Sequence, residues 1–396
     1  MSGFDTLLQA HASPIAREAQ TLGLPTQRVE SWKYMPTRTL TRTAWVQAEP
    51  RTATGFALTA GQFVQAPDAL VVSDAKLTDT ESERLDALFH AQGFALTHAA
   101  LQHQRLVLRV PRSESQTVML TRLANQAQEA GFATLVIRVE AGAQLTLVES
   151  FENSEATETN LDSLCILWML ERDASGTHIR VQAANDGAHT FTSLDVQVAE
   201  NAGYALQSID FGSKLARTDI QVTLAGAHAR TELHGLAVTS GSQYHDTHLA
   251  VDHAVGDTQS AMAFRTMVDG KGEATFNGRV LIRKDAQRSA TEQSVANLLL
   301  SETGRINPKP ELEIYADDVT ASHGCTVGNL SQTELFYLRS RGLSEADAKA
   351  FLQYAFAEKI VEEIQDQAIR EQVEMRLLGE LKHGELIAEL KDSVDV

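Results

Sequence analysis

The spacing of apolar positions divides the chain into three stretches. Near the start, Phe4, Leu7, Leu8, His11 and Ile15 fall at helical intervals. That spacing predicts one helix, ended by Gly23 and Pro25. A mixed basic and aromatic segment follows, RVESWKYMPTRTL, Arg28 to Leu40. LTDTESERLDALFHAQ, from Leu77 to Gln92, predicts another helix with Leu85, Leu88 and Phe89 inward. Residues 1–100 therefore read as a helical, loop-rich region.

From about residue 101 to 330 the period shortens to that of strands. The runs are LVLRV (Leu106 to Val110), TLVIRVE (Thr134 to Glu140), QLTLVES (Gln144 to Ser150) and HIRVQAA (His178 to Ala184). DIQVTL (Asp219 to Leu224), RTELHGLAVT (Arg230 to Thr239), ATFNGRVLI (Ala274 to Ile282) and ELEIYA (Glu311 to Ala316) continue the series. Small polar turns separate them: EAGA at Glu140, AENAG, LAGA at Leu224, DGKG. Helical patterns between strands are scarce, which argues against a doubly wound sheet. Similarly placed turns suggest coils stacked one on another, each too small to bury a core alone. The expected class is mainly β, a β-helix or related solenoid with helical regions at both ends.

Residues 331–396 return to helical spacing. Ser331 and Glu334 form a capping box before LFYL, Gly342 ends that helix, and Ser344 with Asp347 opens a longer one. Ala348, Phe351, Leu352, Ala355, Phe356, Ile360 and Ile364 predict its apolar stripe. A tail with Leu377, Leu378, Leu381 and Leu386 closes the chain. Such a cap either covers the last coil or docks a partner; the pattern supports both equally.

Composition narrows the function. The formal charge of −18 excludes a broad nucleic-acid or anionic-membrane surface. Two cysteines, Cys165 and Cys325, cannot make a disulfide framework and fit a reducing compartment. The first residues lack a basic segment followed by an apolar one, which predicts a cytoplasmic protein. The apolar run Leu164 to Leu170 is too short to span a bilayer, and Cys165 within it reads as a buried, inert thiol.

The chemical candidates sit mostly in YADDVTASHGCTVGNL, Tyr315 to Leu330. His323 and Cys325 are two apart, so on an extended segment they share a side. Together they suit half a zinc or iron site, or a nucleophile with its base; a tight turn is the alternative. Asp317 and Asp318 are neighbours and cannot converge on one bond as a paired acid and base; one capping the next turn is the better reading. In YHDTHLAVDH, Tyr244 to His253, His245 and His248 point to opposite faces, so a solvated strand and turn is expected over a metal site. DGKGEATFNG, from Asp269, lacks the spacing of a phosphate loop and reads as a hairpin-like turn, leaving no ATP site in view. From the residues alone, a scaffold or binding protein is favoured over an enzyme.

Longer motifs then resemble one family. Asn297 to Glu358 carries P-x-LEI-x-ADDV, SHG-x-TVG and FYLRSRG, as the C-terminal part of the SufD family does. RVESWKY resembles that family's N-terminal marker, and His248 to Gln287 its central region. The sister SufB family shares the architecture but differs at SHG-x-TVG. The resemblance implies a right-handed parallel β-helix between helical regions, in a non-catalytic subunit of the SUF machinery for iron–sulfur cluster assembly. It implies pairing with a SufB-like sister through the β-helices. It also implies a SufC-like ATPase on the C-terminal helices, with ATP bound by that partner only. Phe336, Tyr337, Arg339, Arg341, Phe351, Tyr354 and Phe356 are the residues expected to dock the ATPase. His323 matches the family's interface histidine, implicated in handling a transient iron or cluster with a SufB cysteine; no intrinsic cofactor or stably bound metal is expected. Where family members often carry Cys before SHG and Ala within it, this chain has Ala321 and Cys325. Cys325 is thus a second candidate without family support. Two rivals are a SufB-like or self-paired homodimeric scaffold and a carbohydrate-active β-helix enzyme using Asp317 and Asp318.

Overall fold

The structure, a computed structural model, describes residues 3–48, 56–58, 71–73, 76–91, 93–123, 125–152, 159–385 and 387. Its N-terminal helices are α1 (Gly3–Ala10), α2 (Pro14–Leu22), α3 (Arg38–Arg42), α4 (Asp79–Ala91) and α5 (Gly93–Leu101). The single helix expected across Phe4 to Ile15 is two. Ser13 is extended, and its hydroxyl accepts from the Ala16 N–H at 3.2 Å. Pro14, which has no N–H to bond backward, starts α2 at its first position.

The strands, in chain order, are β1 (Val46–Gln47), β2 (Phe56–Leu58), β3 (Val71–Ser73), β4 (Gln104–Val110), β5 (Ser115–Leu123), β6 (Glu129–Val139), β7 (Gln144–Glu152), β8 (Leu161–Leu170), β9 (Ser175–Ala184) and β10 (His189–Val198). They continue as β11 (Gly203–Gly212), β12 (Leu215–Leu224), β13 (Arg230–Thr239), β14 (Tyr244–His253), β15 (Gln259–Val268), β16 (Glu273–Ile282), β17 (Ser289–Leu299), β18 (Arg305–Ile314) and β19 (Val319–Gly328). From β4 to β19 each strand pairs in parallel with the strand two places along, so even strands form one sheet and odd strands the other. This is the expected parallel β-solenoid. DGKG is not a hairpin: it joins β15 to β16, which lie in different sheets.

One corner of each coil is built around a residue with positive φ: Ser113, Gly142, Asp173, Asn201, His228, Asp257 and Arg288, with φ between 56° and 70°. Their amides donate along the stack, Gly142 to Arg172 O and His228 to Asp257 O among them. Inside, alternate residues of both sheets make one mainly aliphatic core, including Leu164, Ile166, Leu194, Val196, Leu206 and Leu233, with Trp168 among them. Coil stacking leaves little slack there. A Cβ added at Gly235 would stand 2.2 Å from the Phe264 ring. Gly235→Val is therefore expected to cost about 1–3 kcal/mol through overpacking, read as a lower urea midpoint; an unchanged midpoint would show that the lumen yields.

The outer faces are covered too. Helices α1, α2 and α5 pack Phe4 and Leu8, Ala16 and Ala19, and Phe94 in one cluster with Phe132, Phe191 and Tyr244 of the even sheet. The C-terminal helices α6 (Gln332–Ser340), α7 (Glu345–Val361) and α8 (Gln367–Glu380) follow β19. Ser331 and Ser344 cap α6 and α7 as their sequence predicts, accepting from Glu334 N at 3.3 Å and Asp347 N at 3.1 Å. The expected stripe on α7 holds at Ala348 and Ile360, and at Ile364 just beyond it, which are buried, but between them the buried face runs through Ala350, Tyr354 and Ala357 in place of Phe351, Leu352, Ala355 and Phe356. Ala350, Tyr354, Ala357, Ile360 and Val361 meet Ile209, Leu236 and Met267 on the odd sheet. Phe351 is left 38% exposed. Leu386 lies outside the described residues.

Candidate functional site at the open end of the solenoid

His323 and Cys325 lie on β19, a regular strand and not a turn. Strand β19 ends the odd sheet and β18 ends the even one, so two ten-residue strands present edges with no described strand beyond them. Register fixes which way the side chains point. His323 stands beside Gln293, and that column continues through Met262, Leu233 and Leu206. Cys325 stands beside Val295, followed by Phe264 and Gly235. Most of these side chains fill the core. His323 and Cys325 therefore project into the same lumen, and they are exposed because the stack stops there. They share a side, as their spacing predicts.

The next coil inward is polar at this point. Gln293 is 1% exposed; its Nε2 donates to Gly278 O at 3.2 Å across the lumen, and its Oε1 has no partner among the described residues. Asn297 is 3% exposed; its Nδ2 donates to Thr326 O at 2.9 Å and lies 3.9 Å from Cys325 Sγ, while its Oδ1 has no partner among the described residues. Burial pushes the Cys325 thiol above its ordinary pKa. Among the described residues no three His, Cys, Asp or Glu side chains gather into a metal site. The chain thus brings one nitrogen and one sulfur donor together at the lumen mouth, and a bound ion needs further ligands from elsewhere.

The other candidates resolve differently. Asp318 forms its corner through the backbone, its N–H donating to Gln287 Oε1 at 2.8 Å and its carbonyl accepting from Arg288 N at 2.6 Å. Asp317 and Asp318 are both exposed, and among the described residues neither side chain makes the turn cap expected of one of them. YHDTHLAVDH is strand β14, and it is largely buried, not solvated. His245 points into the lumen and donates from Nε2 to Gly212 O at 2.6 Å. His248 points outward, with Nε2 at 2.9 Å from Asp246 Oδ1. Cys165 is 1% exposed, and burial raises its thiol far above the ordinary range. No described helix is long and apolar enough to cross a membrane.

Of the expected ATPase-docking residues, Phe336 and Tyr337 are 74% and 56% exposed on α6. Arg341 lies over the Tyr337 ring at 5.3 Å, and Arg339 faces Glu345 at 3.8 Å. Tyr354 and Phe356 turn the other way. Tyr354 is buried against the solenoid, with its hydroxyl donating to Glu358 Oε1 at 2.9 Å. Phe356 holds Arg265 4.8 Å above its ring and accepts Arg265 Nη1 on its carbonyl at 3.2 Å.

The RVESWKY segment has a role that spacing did not reveal. Its Trp32 is 2% exposed, stacks on Phe191 at 6.3 Å and lies 4.3 Å under the Arg217 guanidinium. Arg217 also donates to Ser31 O at 2.7 Å. The segment therefore clamps the N-terminal region to β12.

Comparison with known proteins decides the family. The profile described as "SUF system FeS cluster assembly, SufBD core domain" matches residues 122–356. The chain belongs to the SufBD family. It is 27% identical to the iron–sulfur cluster assembly protein SufD of Escherichia coli, over 91% of this chain and 90% of that protein. A SufBD family protein of Synechocystis is 36% identical over 58% of this chain and 52% of that one. The chloroplastic protein ABCI7 of Arabidopsis is 28% identical over 61% of this chain and 51% of that protein. The full-length match to SufD and the solenoid make this a SufD-type protein of iron–sulfur cluster assembly.

Proposed function

We propose that this SufBD protein is a scaffold subunit that pairs through its last coil with a SufB-like sister and presents His323 to iron or a nascent cluster as cargo. The observation that carries the reading is the pair of open edges at β18 and β19 with His323 between them at the lumen mouth. An exposed ten-residue edge offers a row of unpaired backbone groups, which a second solenoid satisfies by continuing the sheets. The missing ligands for the cargo come from that second chain. A SufC-like ATPase docks on the outward side of the helical region, through Phe336, Tyr337, Arg339, Arg341 and Phe351; Tyr354 and Phe356 serve the helix's own packing instead. Nucleotide is bound by that partner, and the complex works in the cytosol. A self-paired form of this chain uses the same edges.

Two substitutions test the pairing. Val327 is 52% exposed and Ile314 39% exposed, one on each terminal strand. Lysine at both blocks edge pairing while leaving the preceding coils intact. Ile314→Lys with Val327→Lys is expected to abolish co-purification of the SufB-like chain, with ATPase capture and the melting temperature unchanged. Full recovery of the SufB-like chain with the double variant would remove the end-to-end arrangement.

A further inference from the structure

We infer that Cys325 acts with His323 as a two-residue ligand pair for a thiophilic divalent cation, ferrous iron being the physiological species, with Gln293 and Asn297 as built-in supporting groups. The inference deepens the cargo-handling reading above and rests on it.

Three observations carry it beyond the histidine alone. First, the two side chains share the lumen side of one strand, at positions about 7 Å apart along it, and no described coil lies above the strand to cover them. An imidazole and a thiolate suit iron, zinc or cobalt. Second, Gln293 stands beside His323 in register, with a buried carbonyl oxygen that lacks a partner among the described residues. A metal-bound imidazole donates its other ring N–H to an oxygen acceptor, which fixes tautomer and ring plane. Gln293 Oε1 is such an acceptor left free in the unliganded chain. Third, the Asn297 amide lies against the sulfur, Nδ2 at 3.9 Å from Sγ, and its Oδ1 is also unpartnered. Buried amide oxygens without partners are costly. Two of them under the same two exposed donors are accounted for if an ion and its bound water reach them. Val295, between the two amides on β17, closes the floor with an apolar side chain.

The chemistry balances without a redox step. Cys325 is a neutral thiol at neutral pH, so the cation displaces one proton to solvent as the sulfur–metal bond forms. Binding therefore strengthens as pH rises towards the thiol pKa and weakens below it. The remaining coordination positions stay with water until the sister chain supplies ligands.

Cobalt(II) is the probe, because a thiolate bound to it gives a near-ultraviolet charge-transfer band that nitrogen and oxygen ligands do not. The full chain, titrated with cobalt(II) under reducing conditions, is expected to develop that band to one equivalent per chain. Cys325→Ser should abolish the band, whereas Cys165→Ser, with its buried thiol, should leave it. His323→Ala should weaken binding at least tenfold, and Gln293→Leu by roughly 10-fold, the lower range for loss of a supporting hydrogen bond. No band in the folded wild-type chain, or a band that survives Cys325→Ser, would overturn the inference. The edge variants of the preceding section separate the two readings: full sister capture by those variants alongside an intact cobalt band sinks the end-to-end arrangement and not the ligand pair.

Discussion

Alanine at Arg217 is expected to cost the fold about 3–5 kcal/mol, the usual penalty for leaving buried charges without their partner. Arg217 is 2% exposed and serves two carboxylates. It donates to Asp219 through Nε at 2.8 Å and Nη2 at 2.7 Å, and to Asp246 through Nη1 at 2.6 Å. Both aspartates are themselves buried, at 7% and 2% exposure. Removing the guanidinium leaves two buried carboxylates beside each other on adjacent strands β12 and β14 without their shared cation, although His248 Nε2 stays 2.9 Å from Asp246 Oδ1. Lysine cannot replace the forked geometry and should recover only part of the loss. Urea unfolding followed by circular dichroism measures the midpoint.

The same substitution should loosen the N-terminal region first. The guanidinium also covers Trp32 and holds Ser31 O. Limited trypsin digestion of Arg217→Ala is therefore expected to cut near Arg28 and Lys33 before the solenoid is touched. A loss below about 1 kcal/mol, a typical effect of an ordinary substitution, would mean that the aspartates find other partners and that the clamp is weaker than its geometry implies.

How much of this was legible in the chain depends on what each residue faces. The stacked strands were visible where one face is polar, as in Arg230–Thr239. They were harder to read where both faces are covered. In Leu161–Leu170 and His189–Val198 nearly every position is buried, because the core lies beneath and helices or their loops lie above. Alternation is lost in such strands, and only β propensity remains. The coil repeat was hidden for another reason. The left-handed corner is filled by Gly, Asp, Asn, Ser, His or Arg in different coils, so the conformation repeats and the residue does not. At the LAGA turn the left-handed residue is His228, directly after the motif, and not Gly226. At the candidate site, spacing alone put His323 and Cys325 on one side. Gln293 and Asn297 were out of reach, since only strand register brings residues some thirty positions earlier beneath them. The partnership of Trp32 with Arg217 likewise joins segments that no local pattern connects. Motif resemblance marked the tryptophan without giving its physical task.

Acidification from pH 7 to pH 4 is expected to unfold the chain, and the buried histidines set the window. His98 donates and accepts entirely within the protein, with Nδ1 at 2.8 Å from Ser163 Oγ and Nε2 at 3.2 Å from Thr134 Oγ1. Burial, reinforced by the nearby His103, holds its pKa at about 3. His253 sits between Thr258 Oγ1 at 2.7 Å and Ser260 Oγ at 2.9 Å, and burial outweighs Asp252 to hold it at about 4. Burial holds His189 at about 4 as well. Each of these imidazoles is neutral in the folded protein and titrates near 6.5 once unfolded. The unfolded chain therefore binds more protons below pH 6.5, so stability falls as pH falls. The contribution is fully present above 6.5 and is lost down to the folded pKa values, at about 1.4 kcal/mol per pH unit for each fully responding histidine. Glu149 extends the loss to lower pH. Burial pushes its carboxyl up, but Arg122, with His178 and Arg180, outweighs that and holds it at about 2. Its stabilisation is present above the unfolded value near 4.5 and disappears towards 2. Three histidines acting together between pH 6.5 and 4 amount to about 4 kcal/mol per pH unit at full response, a large share of any domain's stability. Thermal melting across that range, repeated with His98→Gln and His253→Gln, is the test. Each substitution removes one titrating group and should flatten the pH slope even if it lowers stability at pH 7. An unchanged slope in both variants would assign the acid sensitivity to the carboxylates.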